Sequence, residues 1–98
     1  MTRNEIIAKL RATEPALHAE GVTGLAIFGS RARGDARPDS DLDVLIDIDP
    51  ESEFSLLDLA GVHLMIEDQL GIPTQVTLRR ALDARTAHRI KNDLIQVF

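Results

Sequence analysis

The sequence predicts an α/β (α+β) domain: a small mixed β-sheet with helices packed on it. Three observations carry that prediction. Segments with helical apolar spacing alternate with short β-type segments along the chain. A length of 98 residues, 44% of them apolar and 28% charged, suits one small globular domain over residues 1–98. No Pro- or Ser-rich linker, internal repeat or low-complexity stretch divides it.

The elements follow in order. Thr2 and Glu5 form a capping-box pattern, and Ile6, Ile7 and Leu10 follow at helical spacing, so residues 3–13 are predicted helical. Pro15 stops that helix or opens a short second one over residues 14–20, and Gly21 ends it. Val22–Phe28 contains the unbroken apolar run Leu25-Ala26-Ile27-Phe28, the pattern of a buried strand. Residues 31–34 are predicted to form a tight helical turn closed by Gly34, with loop to Ser40. In Leu42–Ile48 the residues Leu42, Val44, Ile46 and Ile48 face one side, and Asp41, Asp43, Leu45 and Asp47 the other. Ser55 with Asp58 starts a helix that Gly71 stops near Leu70. That helix is apolar on more than one side, which predicts either a sandwiched helix or a face that meets another protein. Gly61 inside it suggests close packing. The β-branched Thr74, Val76 and Thr77 make 74–78 a third strand. Residues 81–93 are predicted helical, and 94–98 a short apolar tail.

Composition excludes several functions. There is no cysteine, so disulfides, thiolate zinc sites and cysteine nucleophiles are ruled out. No apolar run is long enough for a membrane span. The polar start Met1-Thr2-Arg3-Asn4-Glu5 does not fit a signal peptide, so a cytoplasmic location is expected. A net charge of −5, with neither Tyr nor Trp, argues against direct nucleic-acid binding. The charge is unevenly placed. Residues 39–53 carry seven acids and no base, while residues 31–37 carry three arginines and one acid and residues 79–91 five bases and one acid. An acidic centre with basic flanks suits a divalent metal with a phosphate ligand.

The chemistry concentrates between Gly29 and Asp43. A strand ending in Gly29-Ser30 and turning at once into a helical turn presents backbone N–H groups to an anion. Gly29 allows close approach of a phosphate, the Ser30 hydroxyl adds a donor, and Arg31 and Arg33 add charge. No Lys-Ser/Thr follows, so this is not a Walker loop. Asp41 and Asp43, two apart on a strand, project from one face and repel each other unless a cation sits by them. Oxygen-only ligands suit Mg²⁺. Either feature alone is commonplace, one an ordinary turn and the other an acidic strand face. Together they place a phosphate site and a metal site on consecutive strands.

On these residues the chain resembles the nucleotidyltransferase superfamily that includes DNA polymerase β, and most of all its minimal nucleotidyltransferase branch. Gly-Ser, ten residues, then Asp-x-Asp is matched by Gly29, Ser30, Asp41 and Asp43. Phe28-Gly-Ser-Arg-Ala-Arg-Gly-Asp, Ser40-Asp-Leu-Asp-Val-Leu-Ile and Leu70-Gly71-Ile72-Pro73 extend the likeness across most of the chain. The resemblance implies the nucleotidyltransferase fold, with the triphosphate of ATP held at Gly29 and Ser30 and Mg²⁺ on Asp41 and Asp43. It implies transfer of a nucleoside monophosphate to a hydroxyl. In the minimal branch the expected role is the antitoxin that places AMP on a tyrosine of a HEPN-domain RNase toxin. A chain of this size leaves no room for an acceptor-binding domain, so another molecule is expected to supply the acceptor.

One position departs from the family pattern. A third carboxylate is common on the next strand, and Gln75 stands there in Pro73-Thr74-Gln75-Val76-Thr77. A missing general base costs about 10²–10⁴ in rate. Asp47, four residues beyond Asp43, is expected to be a solvated strand-end residue rather than a substitute. His18, His63 and His88 are isolated and are expected to have no catalytic or metal role. Arg79, Arg80, Arg85 and Arg89 are expected to form a solvated basic face. The chain has no tyrosine, so it cannot modify itself there. Two other readings stand beside the enzyme: a module that neutralises its partner by contact alone, and the nucleotide-binding subunit of a two-component small-molecule modifier.

Overall fold

The computed structural model describes residues 1–98 as α1 (Arg3–Ala12), α2 (Glu14–Ala19), β1 (Val22–Phe28), α3 (Gly29–Arg33), β2 (Leu42–Ile48), α4 (Leu56–Leu70), β3 (Thr74–Leu78), α5 (Ala84–Ile90) and β4 (Ile95–Gln96). Local chemistry fixes the helix ends. Thr2 and Ser55 each head a reciprocal capping box, with Glu5 and with Asp58. Gly34 and Gly71 end α3 and α4 in the left-handed conformation, at φ 86° and 71°.

Four strands form one mixed sheet in the order β3-β2-β1-β4. β1 runs antiparallel to β2 and to β4, and β2 runs parallel to β3. One face, with Leu25 and Ile27 of β1 and Leu42, Val44 and Ile46 of β2, is fully buried against Ile6, Leu10, Leu17, Val62 and Ile66 of α1, α2 and α4. Burying each such side chain contributes roughly 1.5–3 kcal/mol. On the other face Ala26 and Leu45 pack against Ile90 of α5, with Phe28, Leu82 and Leu94 around them. Asp43 is only half-buried there and Gln75 is exposed.

Two segments differ from expectation. The helix expected over residues 81–93 is broken: Arg79–Ala81 forms a 3-10 turn, Leu82 is extended, and Asp83 caps α5 by accepting from the Thr86 N–H at 2.7 Å. The tail expected at 94–98 holds the fourth strand, where Ala26 pairs with Gln96 and Ile27 with Ile95. Two residues are too few to show a period of two, and the partner strand is about 70 residues away. Gly61 has no heavy atom within 4 Å of where a Cβ would stand, so it does not mark close packing.

α4 buries Val62, Ile66 and Leu70 but leaves Leu56, Leu57 and Leu64 exposed at 83%, 82% and 64%. β3 is an edge strand. Leu42 donates to the Pro73 carbonyl, so the alternate groups of Thr74 and Val76 point outward. The Thr74 N–H donates to Glu67 Oε2 at 2.8 Å, and the Thr74 carbonyl lies 2.7 Å from His63 Nε2. His63 thus braces the strand edge. No helix is long and apolar enough to cross a membrane.

Candidate active site

The turn after β1 and the start of β2 meet at one end of the sheet. Phe28 is paired with Asp43 across β1 and β2, and Asp43 with Gln75 across β2 and β3. Side chains of paired residues share a face, so Asp43 stands between the Gly29-Ser30 turn and Gln75. Gly29 opens α3, two residues earlier than the helical turn expected from sequence, with φ 76°. A Cβ at Gly29 would run into the Asp43 carboxylate. Glycine is therefore required twice over, for its backbone conformation and for the room it leaves that carboxylate.

The carboxylate pair is electrostatically unfinished. Asp43 accepts no hydrogen bond and joins no ion pair, although Asp35, Asp47, Asp83 and Asp93 all accept at least one hydrogen bond. Burial raises the Asp43 carboxyl above the ordinary aspartate range, and the charge of Asp41 raises it further, against a smaller lowering by Arg33. Asp41 is exposed and receives one long bond, from Gln75 Nε2 at 3.4 Å. Two adjacent carboxylates without an internal cation are the donor set of a hard divalent ion. The residues present therefore fit such an ion.

The two arginines expected at the phosphates are placed differently from that expectation. Arg31 is 8% exposed, and its Nε and Nη2 donate to the Ser40 carbonyl at 3.2 and 2.8 Å and to the Pro38 carbonyl at 3.3 Å. It clamps the loop that delivers Asp41 and Asp43. Arg33 bridges Asp35 at 3.1 Å and Asp93 at 2.9 Å at the half-exposed rim, and both bonds push its pKa up. Replacing Arg31 with methionine keeps the apolar stem and removes the donors. Stability should fall by about 2 kcal/mol, the scale of charged hydrogen bonds to buried groups, as read by urea unfolding.

Asp47 is not a free strand-end acid. Arg79 Nε donates to it at 2.7 Å, and Arg79 Nη2 donates to Gln96 Oε1 at 3.1 Å, which also takes Arg79 out of the solvated basic face. Sequence reading missed Asp93 as the partner of Arg33 across 60 residues, and no local signal marks it. A groove of about 470 Å³ between α4 and β3 is lined by Leu56, Leu59, Ala60 and His63. Its β3 wall is formed by Thr74, Gln75, Val76 and Thr77.

Comparison with known proteins adds to this geometry. Residues 5–96 match the family described as nucleotidyltransferase domain. The protein adenylyltransferase MntA of Thermococcus cleftensis is 31% identical over 98 residues, covering 99% of this chain and 97% of that protein. A solved structure provisionally described as a minimal nucleotidyltransferase is 32% identical, with a TM-score of 0.81 over 97% of this chain and 95% of that one. A crystal structure of a toxin–antitoxin with AMP-PNP is 16% identical with a TM-score of 0.70, covering 100% of this chain and 73% of that one. At that identity it shows a shared fold.

Proposed function

The chain belongs to the nucleotidyltransferase domain family, and from that premise we propose that it transfers AMP from ATP to a hydroxyl of a partner protein, as the antitoxin of a toxin–antitoxin pair. One observation carries the proposal. The Gly29-Ser30 turn and the Asp41/Asp43 pair form a single site, in which the Asp43 carboxylate fills the space a Cβ at Gly29 would take. The name of the Thermococcus relative, matched over nearly its whole length, supports a protein acceptor. The toxin–antitoxin complex with AMP-PNP has the same fold, which supports the pairing with a toxin. The finer reading, taken from the family resemblance, is a tyrosine of a HEPN-domain toxin as the acceptor.

In this reading Gly29 and Ser30 hold the triphosphate, and Asp41 and Asp43 hold Mg²⁺. When bound, such an ion neutralises phosphate charge and helps ionise an oxygen it holds. Arg31 serves the site through the loop it clamps, and Arg33 stands at the rim. The acceptor oxygen bonds to the α-phosphorus as the bridge to the β-phosphate breaks, and pyrophosphate leaves.

ATP with Mg²⁺ at a hundred times the dissociation constant should stabilise the protein by about 2.7 kcal/mol in a thermal-shift titration. The gain should vanish in Asp41→Ala/Asp43→Ala, along with transfer of α-labelled AMP to the partner. A contact-only neutraliser is favoured by the exposed Leu56, Leu57 and Leu64 and by the neutral Gln75. It predicts instead that the double variant still silences its partner.

A further inference from the structure

We propose that the outer face of α4 docks a helix of the partner protein, one with an apolar stripe and basic flanks, which lies across Gly61 between Leu57 and Leu64. The proposal rests on the reading that this chain acts on a partner protein, and it locates where that partner is held.

The face is apolar without a reason inside the chain. Leu57, Ala60, Gly61 and Leu64 recur at helical spacing and are all exposed, the two leucines at 82% and 64%. A single exposed leucine is ordinary, but a stripe of them on one helix marks a contact surface. Gly61 is a second, independent sign. Glycine weakens the middle of a helix, and nothing in this chain requires it there. Its φ is not positive, and a Cβ at position 61 would meet no atom within 4 Å. What Gly61 provides is a hollow on the outside of α4, between two leucines, where a second backbone can come close. Leu56 and Ala60 continue the apolar surface into the groove between α4 and β3.

Two observations fix the kind of occupant. A strand would need the free edge of β3, and the Thr74 N–H and carbonyl there are bonded to Glu67 and His63. A helix laid into an apolar groove needs no such edge. The second observation is charge. None of the eleven Lys and Arg residues lies between Pro38 and Leu78, a stretch that holds ten of the sixteen acids. Glu51 and Glu53 stand before the stripe and Asp68 extends it, all three exposed. A helix with Lys or Arg beside its apolar residues complements this face, whereas α4 of a second copy would set acids against acids. The face lies on the helix side of the sheet, opposite Asp43, so docking and transfer use different surfaces of this chain.

The test titrates the full chain against three fluorescent synthetic peptides of one length, followed by anisotropy. The first is a helix with leucines at i, i+3 and i+7 and lysines beside them. The second keeps that stripe with glutamates in place of the lysines, and the third is a scrambled form of the first. Wild type should bind the first about tenfold or more tighter than either of the others, and added salt should weaken that binding. Leu57→Ser/Leu64→Ser should weaken it by about 10²-fold. Gly61→Ala should weaken it by about tenfold while raising the urea midpoint of unfolding. Those opposite signs separate a docking role from a structural one. The thermal shift with ATP and Mg²⁺ should be the same in every variant. Equal binding of the three peptides, binding of none, or undiminished binding in the variants overturns the proposal. So does a wild-type dimer in sedimentation velocity that Leu57→Ser/Leu64→Ser breaks into monomers, because a second copy would then be the occupant. Wild type that gains no stability from ATP with Mg²⁺ counts against the transferase reading, separately from the peptide result.

Discussion

Replacing Asp43 with asparagine should abolish nucleotidyl transfer and, at the same time, make the fold more stable. The loss should reach about 10³-fold or more, because a charge that would hold the metal at the reacting phosphate is removed. The gain in stability follows from the same carboxylate. Its pKa is raised in the folded protein, by burial first and by Asp41 second. The folded state therefore keeps the Asp43 proton to higher pH than the unfolded chain does. At low pH both states carry the proton, and Asp43 costs nothing. As pH rises above about 4, where an ordinary aspartate ionises, the unfolded chain gives up its proton first and stability falls. Above the raised value the loss is complete and stays constant. Asparagine carries no charge to desolvate, so the difference in unfolding free energy between variant and wild type should open across that acidic window. Urea unfolding across the window reads it directly. A variant no more stable than wild type at neutral pH would show that Asp43 is not electrostatically strained.

Gly29→Ala should damage both fold and activity. A non-glycine residue in the left-handed region costs about 1–2 kcal/mol, and φ at position 29 is 76°. The new methyl also has to displace the Asp43 carboxylate. Displacement of a reacting group by about 1 Å can cost 10²-fold in rate, and that is the expected loss of transfer. Gly34→Ala separates the two effects. Position 34 also has positive φ, at 86°, but the nearest atom to a Cβ there is Arg3 Nη1 at 4.0 Å. It should lose stability alone. Equal losses of transfer in both variants would mean that contact with Asp43 is not what position 29 protects.

Much of this was legible in the sequence, and the reason is locality. Caps such as Thr2 with Glu5 and Ser55 with Asp58 act over three residues, and each was realised as a capping box. The alternation in Leu42–Ile48 placed Asp43 on the face opposite Leu42, Val44 and Ile46, where the structure has it. What stayed hidden acts at a distance or without a period. β4 is two residues long and exists only because β1 offers it an edge. Leu82 and Asp83 break a stretch whose composition alone suits a helix. An arginine reads as a phosphate ligand until the fold shows what it touches. Arg31 turned out to face two carbonyls of its own loop, and Arg33 an aspartate from the far end of the chain.

The seating of Thr74 has a consequence for how copies of this protein meet. An unpaired strand edge is a template on which another chain can extend the sheet, the first step toward aggregates. Here the outward donor and acceptor at the head of β3 are already taken by Glu67 and His63. What remains open is Val76 and the strand's last residue, where the chain turns off into the 3-10 turn at Arg79. A neighbouring strand would find too few free rungs to register against, so two side chains of α4 keep this sheet from growing at its β3 edge.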